Sequence, residues 1–231
     1  MSGSVDVTHL PGLFYFTHEF DMARSNLYYI YFKPFNVMTQ FSSVDGKTTL
    51  GDLLKLKDDV YPVGRLDYDS EGLLILTNDN DLKTIVLDPT FGHKRTYLLQ
   101  LEGDITDSSI ELLEQGVEIN INGEIYQTLP AEIEKLQTDP IVAPRSIPIR
   151  IRENVPTSWI KLKLTEGKNR QARKMAAKVG FPVLRLIRIS IGDIDLKDMI
   201  PGDITQISKN TIYRLLNIES KISYYTHYKI I

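Results

Sequence analysis

Gly64-Arg65-Leu66-Asp67-Tyr68-Asp69-Ser70-Glu71-Gly72-Leu73-Leu74-Ile75-Leu76-Thr77-Asn78 couples the densest polar segment of the chain to an unbroken apolar run. Leu73 to Leu76 is short and does not alternate, the pattern of a strand buried on both faces. The carboxylates just before it are thereby expected on a loop anchored in the core, where a rigid scaffold presents functional side chains.

Other elements follow outward from this segment. Tyr28 to Phe32 is an aromatic strand ended by Lys33-Pro34, and Leu50, Leu53 and Leu54 fit one face of a short helix. Asn80 can cap a brief helix that Pro89 ends. Tyr97, Leu99 and Leu101 alternate with polar or outward positions, as do Ile160, Leu162 and Leu164, so both stretches predict strands. Thr106 or Asp107 can cap a helix through Ile110 and Leu113 that Gly116 stops, residues 170–179 read as a helix, and residues 183–191 as a long strand. A Pro-rich loop spans residues 140–156. Strands and helices mix without strict βαβ alternation, so the expected class is α+β, with a mixed, mostly antiparallel sheet and flanking helices. One domain is expected over residues 27–210, between an N-terminal extension (1–26) and a C-terminal tail (211–231).

With 42% hydrophobic residues a sizeable core can form. The absence of cysteine excludes a disulfide framework, thiol catalysis and thiolate metal sites. No apolar run is long enough to span a membrane as a helix. A formal charge of −3 argues against a protein that coats nucleic acid nonspecifically, but a nucleic-acid footprint is a local patch.

Three readings of the acidic turn compete on residue types alone. A solvated turn needs no further explanation. A calcium loop beginning at Asp67 requires a bidentate Glu at its twelfth position, where Asn78 stands. Paired carboxylates for glycoside hydrolysis need a separation of about 5 to 10 Å across a sugar, which spacing along a turn cannot establish.

The second informative segment runs from residue 165 to 188. Glu166 is its only acid, against Lys168, Arg170, Arg173, Lys174, Lys178, Arg185 and Arg188. On a helical wheel Ala172, Met175, Ala176 and Val179 form an apolar stripe, with Asn169 as a candidate N-cap. Arg170, Lys174 and Lys178 fall on the opposite face, and Arg173 at the border. Cations without local acidic partners suit phosphates; the border position of Arg173 suits a partly buried ion pair.

Gly64 to Asn78, together with residues 166–175 and 180–188, resembles the signature of pseudouridine synthases, in the branch that acts on single ribosomal RNA uridines. Further matches at Phe32-Lys33-Pro34, Val37 to Phe41, Arg95-Thr96-Tyr97, Ile147 to Arg150 and Pro156 to Trp159 extend the resemblance over residues 28–208. It implies that Asp67 is the catalytic residue, that Arg173 pairs with it, and that Tyr97 packs against the target base. Arg65, Asn169, Arg170, Gln171, Lys174 and Arg188 are then the remaining substrate-binding positions. Arg95 stands where that family more often has Lys. The resemblance further implies large-subunit (23S) ribosomal RNA as partner, no cofactor, metal or membrane, a cytoplasmic monomer, and no separate N-terminal RNA-binding domain. Whether the carboxylate acts as nucleophile or base stays open. Two other functions are weighed against it: a non-catalytic RNA-binding or ribosome-assembly module, and a carbohydrate hydrolase using Asp67 with Asp69 or Glu71.

Overall fold

The computed structural model describes residues 25–149 and 152–218. All but Ser25 and Asn26 of the expected extension, Arg150 of the matched Ile147 to Arg150 segment, and the tail beyond residue 218 lie outside the described residues.

The N-terminal half contains β1 (Tyr28–Lys33), β2 (Val37–Met38), β3 (Thr48–Thr49), α1 (Leu50–Leu53), β4 (Tyr61–Pro62), β5 (Glu71–Thr77), α2 (Asn80–Leu87) and β6 (Arg95–Glu102). Then come α3 (Asp107–Gln115), β7 (Glu118–Ile121), β8 (Glu124–Gln127), β9 (Glu132–Lys135) and β10 (Thr157–Leu164). The chain continues through α4 (Gln171–Lys178), β11 (Val183–Ile191), β12 (Ile194–Asp195), β13 (Ile204–Gln206) and α5 (Lys209–Leu215). No helix among the described residues is long and apolar enough to cross a membrane.

A nine-stranded sheet in the order β13-β1-β5-β11-β6-β10-β9, with β4 on β5 and β12 on β11, forms the body. Its described pairings are antiparallel except β5 with β11, so the expected α+β class with a mixed, mostly antiparallel sheet is what the chain adopts.

Every residue of β5 is buried. Leu73 and Ile75 join one core with Phe32, Leu98, Ile187 and Ile212, while Leu74 and Leu76 join another with Tyr31, Leu50 and Leu54. Each such side chain withdrawn from water contributes roughly 1.5–3 kcal/mol, so this strand is a fixed base for the loop before it. A third cluster seats the Ala172, Met175 and Ala176 stripe of α4 against Leu99, Leu101, Ile160 and Leu162.

Several boundaries differ from expectation. Asp79, not Asn80, caps α2, because its carboxylate accepts from the Asp81 and Leu82 amides. Leu53 points outward, 46% exposed, because α1 is a single turn that buries only Leu50. The domain does not stop at residue 210: α5 buries Ile212 and Tyr213, and Leu216 and Ile218 follow them into the core.

The parallel contact between β5 and β11 depends on one residue. Gly72 has φ +118 and pairs with Arg188; a Cβ there would lie 2.3 Å from the Arg188 carbonyl oxygen and 2.5 Å from its nitrogen. Neither the dihedral nor the space admits a side chain. Gly72→Ala should lower stability by at least about 1–3 kcal/mol, read as the midpoint of urea unfolding; an unchanged midpoint would show that the two strands can separate without loss.

Candidate active site

The loop from Gly64 to Ser70 is held from below by backbone partners. Leu66 is buried, and the Thr39 hydroxyl both donates to its carbonyl (2.7 Å) and accepts from its amide (3.2 Å). The Asn36 amide donates to the Tyr68 carbonyl at 2.9 Å, and the Ser70 amide closes a turn onto the Asp67 carbonyl at 3.1 Å. Lys33, fully buried at the end of β1, fastens the strand connection by donating to the Pro34 and Val37 carbonyls. Burial pushes its amine down to about 7, while the nearby carboxylates of Glu71, Asp69 and Asp67 pull the other way.

Three carboxylates emerge from this frame with different fates. Asp69 receives a two-pronged pair from Arg170, at 2.8 and 2.7 Å. Glu71 is not part of the turn: it opens β5, is 1% exposed, and meets Arg185 from β11 at 2.8 Å through both oxygens. Asp67 keeps a single contact among the described ion pairs, 3.3 Å from the same Arg170, with its side chain 35% exposed.

The expected pairing of Arg173 with Asp67 is corrected by this geometry. Arg173 donates to the Asp69 carbonyl (2.6 Å), the Ser70 hydroxyl (3.3 Å) and the Val183 carbonyl (3.3 Å), so it ties the loop's backbone to the start of β11. Its closest approach to a carboxylate is 3.6 Å, to Asp69. Arg170, expected to face phosphates, is the cation at Asp67. The reason is local: Arg170 has φ +51 and precedes the first turn of α4 as its N-cap, so its direction does not follow the helical wheel. Asn169 is therefore not the cap. A non-glycine residue in this backbone region carries a steric cost and recurs at functional sites.

The Arg170 hydrogen bonds hold the Asp69 carboxyl below its ordinary range, against opposing burial. Stability from a depressed carboxyl is complete above the unfolded value of about 3.9 and is lost as pH falls through the lower folded value. Arg170→Met should thus unfold at a slightly lower temperature than wild type at pH 7, with the gap closing in acid. Because the partners are 40% and 38% exposed, screening keeps that gap modest. A gap that widened on acidification would contradict the assignment.

The remaining predicted positions divide. Tyr97 on β6 pairs with Arg188 on β11, which pairs with Gly72 on β5. These three residues thus form one row across neighbouring strands, and the backbones of Tyr97 and Gly72 lie roughly 10 Å apart. Arg188 is 4% exposed, lies against Tyr97 and donates to the Leu73 carbonyl, so it supports the row from inside. Gln171 is also internal: it donates to Glu166 and accepts from the Lys168 amide, which corrects its expected place on the substrate surface. Arg65 and Asn169 are exposed and Lys174 half-buried, its amine 3.4 Å from the Asn169 side-chain oxygen.

Lys33, Thr39 and Arg185 were not singled out as site residues. A lysine closing an apolar aromatic strand was the available signal for Lys33; Thr39 and Arg185 act through partners 27 and 114 residues away, which no local pattern reveals.

Comparison with known proteins bears on the family and the fold. The sequence profile described as RNA pseudouridylate synthase matches residues 28–178. The Ribosomal large subunit pseudouridine synthase E of Vibrio parahaemolyticus is 43% identical over 178 residues, covering 77% of this chain and 72% of that one. Its counterpart in Xanthomonas campestris pv. campestris is 43% identical over 172 residues, covering 74% and 89%. A solved pseudouridylate synthase shares the fold with a TM-score of 0.67 at 23% identity, over 83% of this chain and 74% of its own. A carboxylate loop built on β5, the family profile across it, and relatives matched along most of both chains place this protein in the RNA pseudouridylate synthase family, whose reaction isomerises uridine to pseudouridine.

Proposed function

We propose that this protein isomerises a specific uridine of large-subunit (23S) ribosomal RNA, with Asp67 as the reacting carboxylate, acting as a cytoplasmic monomer without a cofactor. One observation carries the choice of residue. Of the three neighbouring acids, Asp69 is committed to Arg170 through both oxygens and Glu71 to Arg185, whereas Asp67 has one ion pair among the described residues, at 3.3 Å, and a side chain 35% exposed. Isomerisation breaks the bond from C1′ to N1, turns the uracil and joins C1′ to C5, with the C5 proton leaving and N1 gaining one. Atoms and electrons balance within the substrate. Asp67 works at the ribose, and the uridine must leave its stack to reach it. Tyr97, one row across the sheet, supplies an aromatic face for the extruded base, and the exposed Arg65 and Asn169, with the half-buried Lys174, supply polar contacts for the backbone.

Purified protein incubated with ribosomal RNA from cells lacking the gene is expected to form pseudouridine at one position without added cofactor; no product in any large-subunit RNA would refute the proposal. In the same assay Tyr97→Phe should bind RNA as wild type does, while Tyr97→Ala should bind more weakly by about 1–3 kcal/mol. Equal affinity for all three proteins would place the base elsewhere.

A further inference from the structure

A concavity of about 620 Å³ borders the catalytic loop through Gly64 and Arg65, a volume within the ordinary range of small-molecule sites. Phe41, Leu56, Val60, Tyr61 and Leu87 give it apolar surface, and Tyr61 stands 54% exposed there although it is a large aromatic residue. Lys57, Arg65 and Lys83 also line it, against one acid, Asp58. None of these three cations forms an ion pair among the described residues. That sets them apart from Arg170, Arg173 and Arg185, whose charges are turned inward onto the loop acids and β5. An open aromatic ring beside uncompensated cations matches the two halves of a nucleotide: a base with a stacking face and an anionic phosphate.

The cavity is also tied to the chemistry. Thr39 lines it and is the residue whose hydroxyl clamps Leu66. Arg65 lies two residues from Asp67, so their Cα atoms are at most about 7 Å apart. The opening is thus within reach of nucleotides that flank a uridine held at Asp67. RNA sequence is read mainly where bases are unpaired and can be splayed onto protein aromatic groups.

We propose that this cavity is a subsite for an unpaired nucleotide flanking the target uridine, its base held against Tyr61 and its phosphate met by Lys57, Arg65 and Lys83. The inference rests on the RNA substrate proposed above. It assigns part of the choice of uridine to a place separate from the reacting carboxylate.

The probe is a synthetic fragment of the ribosomal RNA in which wild-type protein forms pseudouridine, made with an abasic nucleotide at each flanking position in turn. Tyr61→Ala is expected to raise KM and Kd about ten-fold with kcat unchanged, and Tyr61→Phe to restore both. At one flanking position the abasic fragment should weaken wild-type binding to the same extent, and Tyr61→Ala should then weaken it no further. Lys57→Gln should flatten the salt dependence of binding by up to about one unit of log–log slope. Tyr61→Ala that binds like wild type, or losses that multiply with every abasic position, would overturn the subsite. Wild-type protein inactive on all ribosomal RNA would overturn the parent function as well, so the two failures are distinguishable.

Discussion

Asp67→Asn is expected to preserve the fold and RNA affinity while lowering turnover by several orders of magnitude. The amide has nearly the same shape as the carboxylate and still fits beside Arg170, so the loop clamps at Leu66, Tyr68 and Ser70 are untouched. What disappears is the anion that reacts at the ribose, and neither nucleophile nor base survives its loss. Asp69→Asn is the control: its oxygens already serve Arg170, so its loss should loosen the helix–loop contact and cost turnover far less. Single-turnover rates on the RNA substrate check both. An active Asp67→Asn, or an equally inactive Asp69→Asn, would remove the distinction drawn between these two acids.

The second large effect is on stability. Glu71→Gln should destabilise the protein by about 3–5 kcal/mol, because it strands the Arg185 guanidinium, 6% exposed, without its counter-charge. Against a typical stability of about 5–15 kcal/mol this is a major loss. The sequence sets Glu71 beside Asp69 in one polar run; its burial at the start of β5 makes it a determinant of the fold. Replacing both partners, Glu71→Gln with Arg185→Met, should recover part of the loss, since no buried charge is then unpaired. Denaturant unfolding of the two proteins checks this, and a single variant within about 1 kcal/mol of wild type would show that water reaches Arg185.

The strands that build the floor of the site were legible because their pattern is local. β5 is an unbroken apolar run, and β6 and β10 alternate; the structure buries the first on both faces and splits the residues of β6 between two cores. The hairpin of β7 and β8 was missed although Asn122-Gly123 marks its turn, with φ +53 and +97. Val117, Ile119 and Ile121 do alternate with Glu118 and Asn120, but each strand is only four residues long and β8 buries none of its residues fully, which leaves little apolar signal.

At the site, the place of Asp67 on a core-anchored loop just before β5 was legible in the sequence, and its partners were not. The cations of residues 165–188 lack nearby acids in sequence, which favoured phosphates as partners. The fold supplies acids from about 100 residues away: Asp69 for Arg170 and Glu71 for Arg185. Arg173 was rightly placed at the edge of the apolar stripe, but it binds loop backbone rather than the reacting acid. A helical wheel carries no information about Arg170, whose left-handed backbone lies outside the helix.

The central claim, that one uridine of large-subunit ribosomal RNA is isomerised through Asp67, is tested most directly in cells. Pseudouridine should be mapped across that RNA in a strain lacking the gene, supplied with either the wild-type protein or Asp67→Asn. One position is predicted to lose pseudouridine without the gene, to regain it with wild type and to stay uridine with Asp67→Asn. Identical maps in all strains, or restoration by Asp67→Asn, would contradict the account.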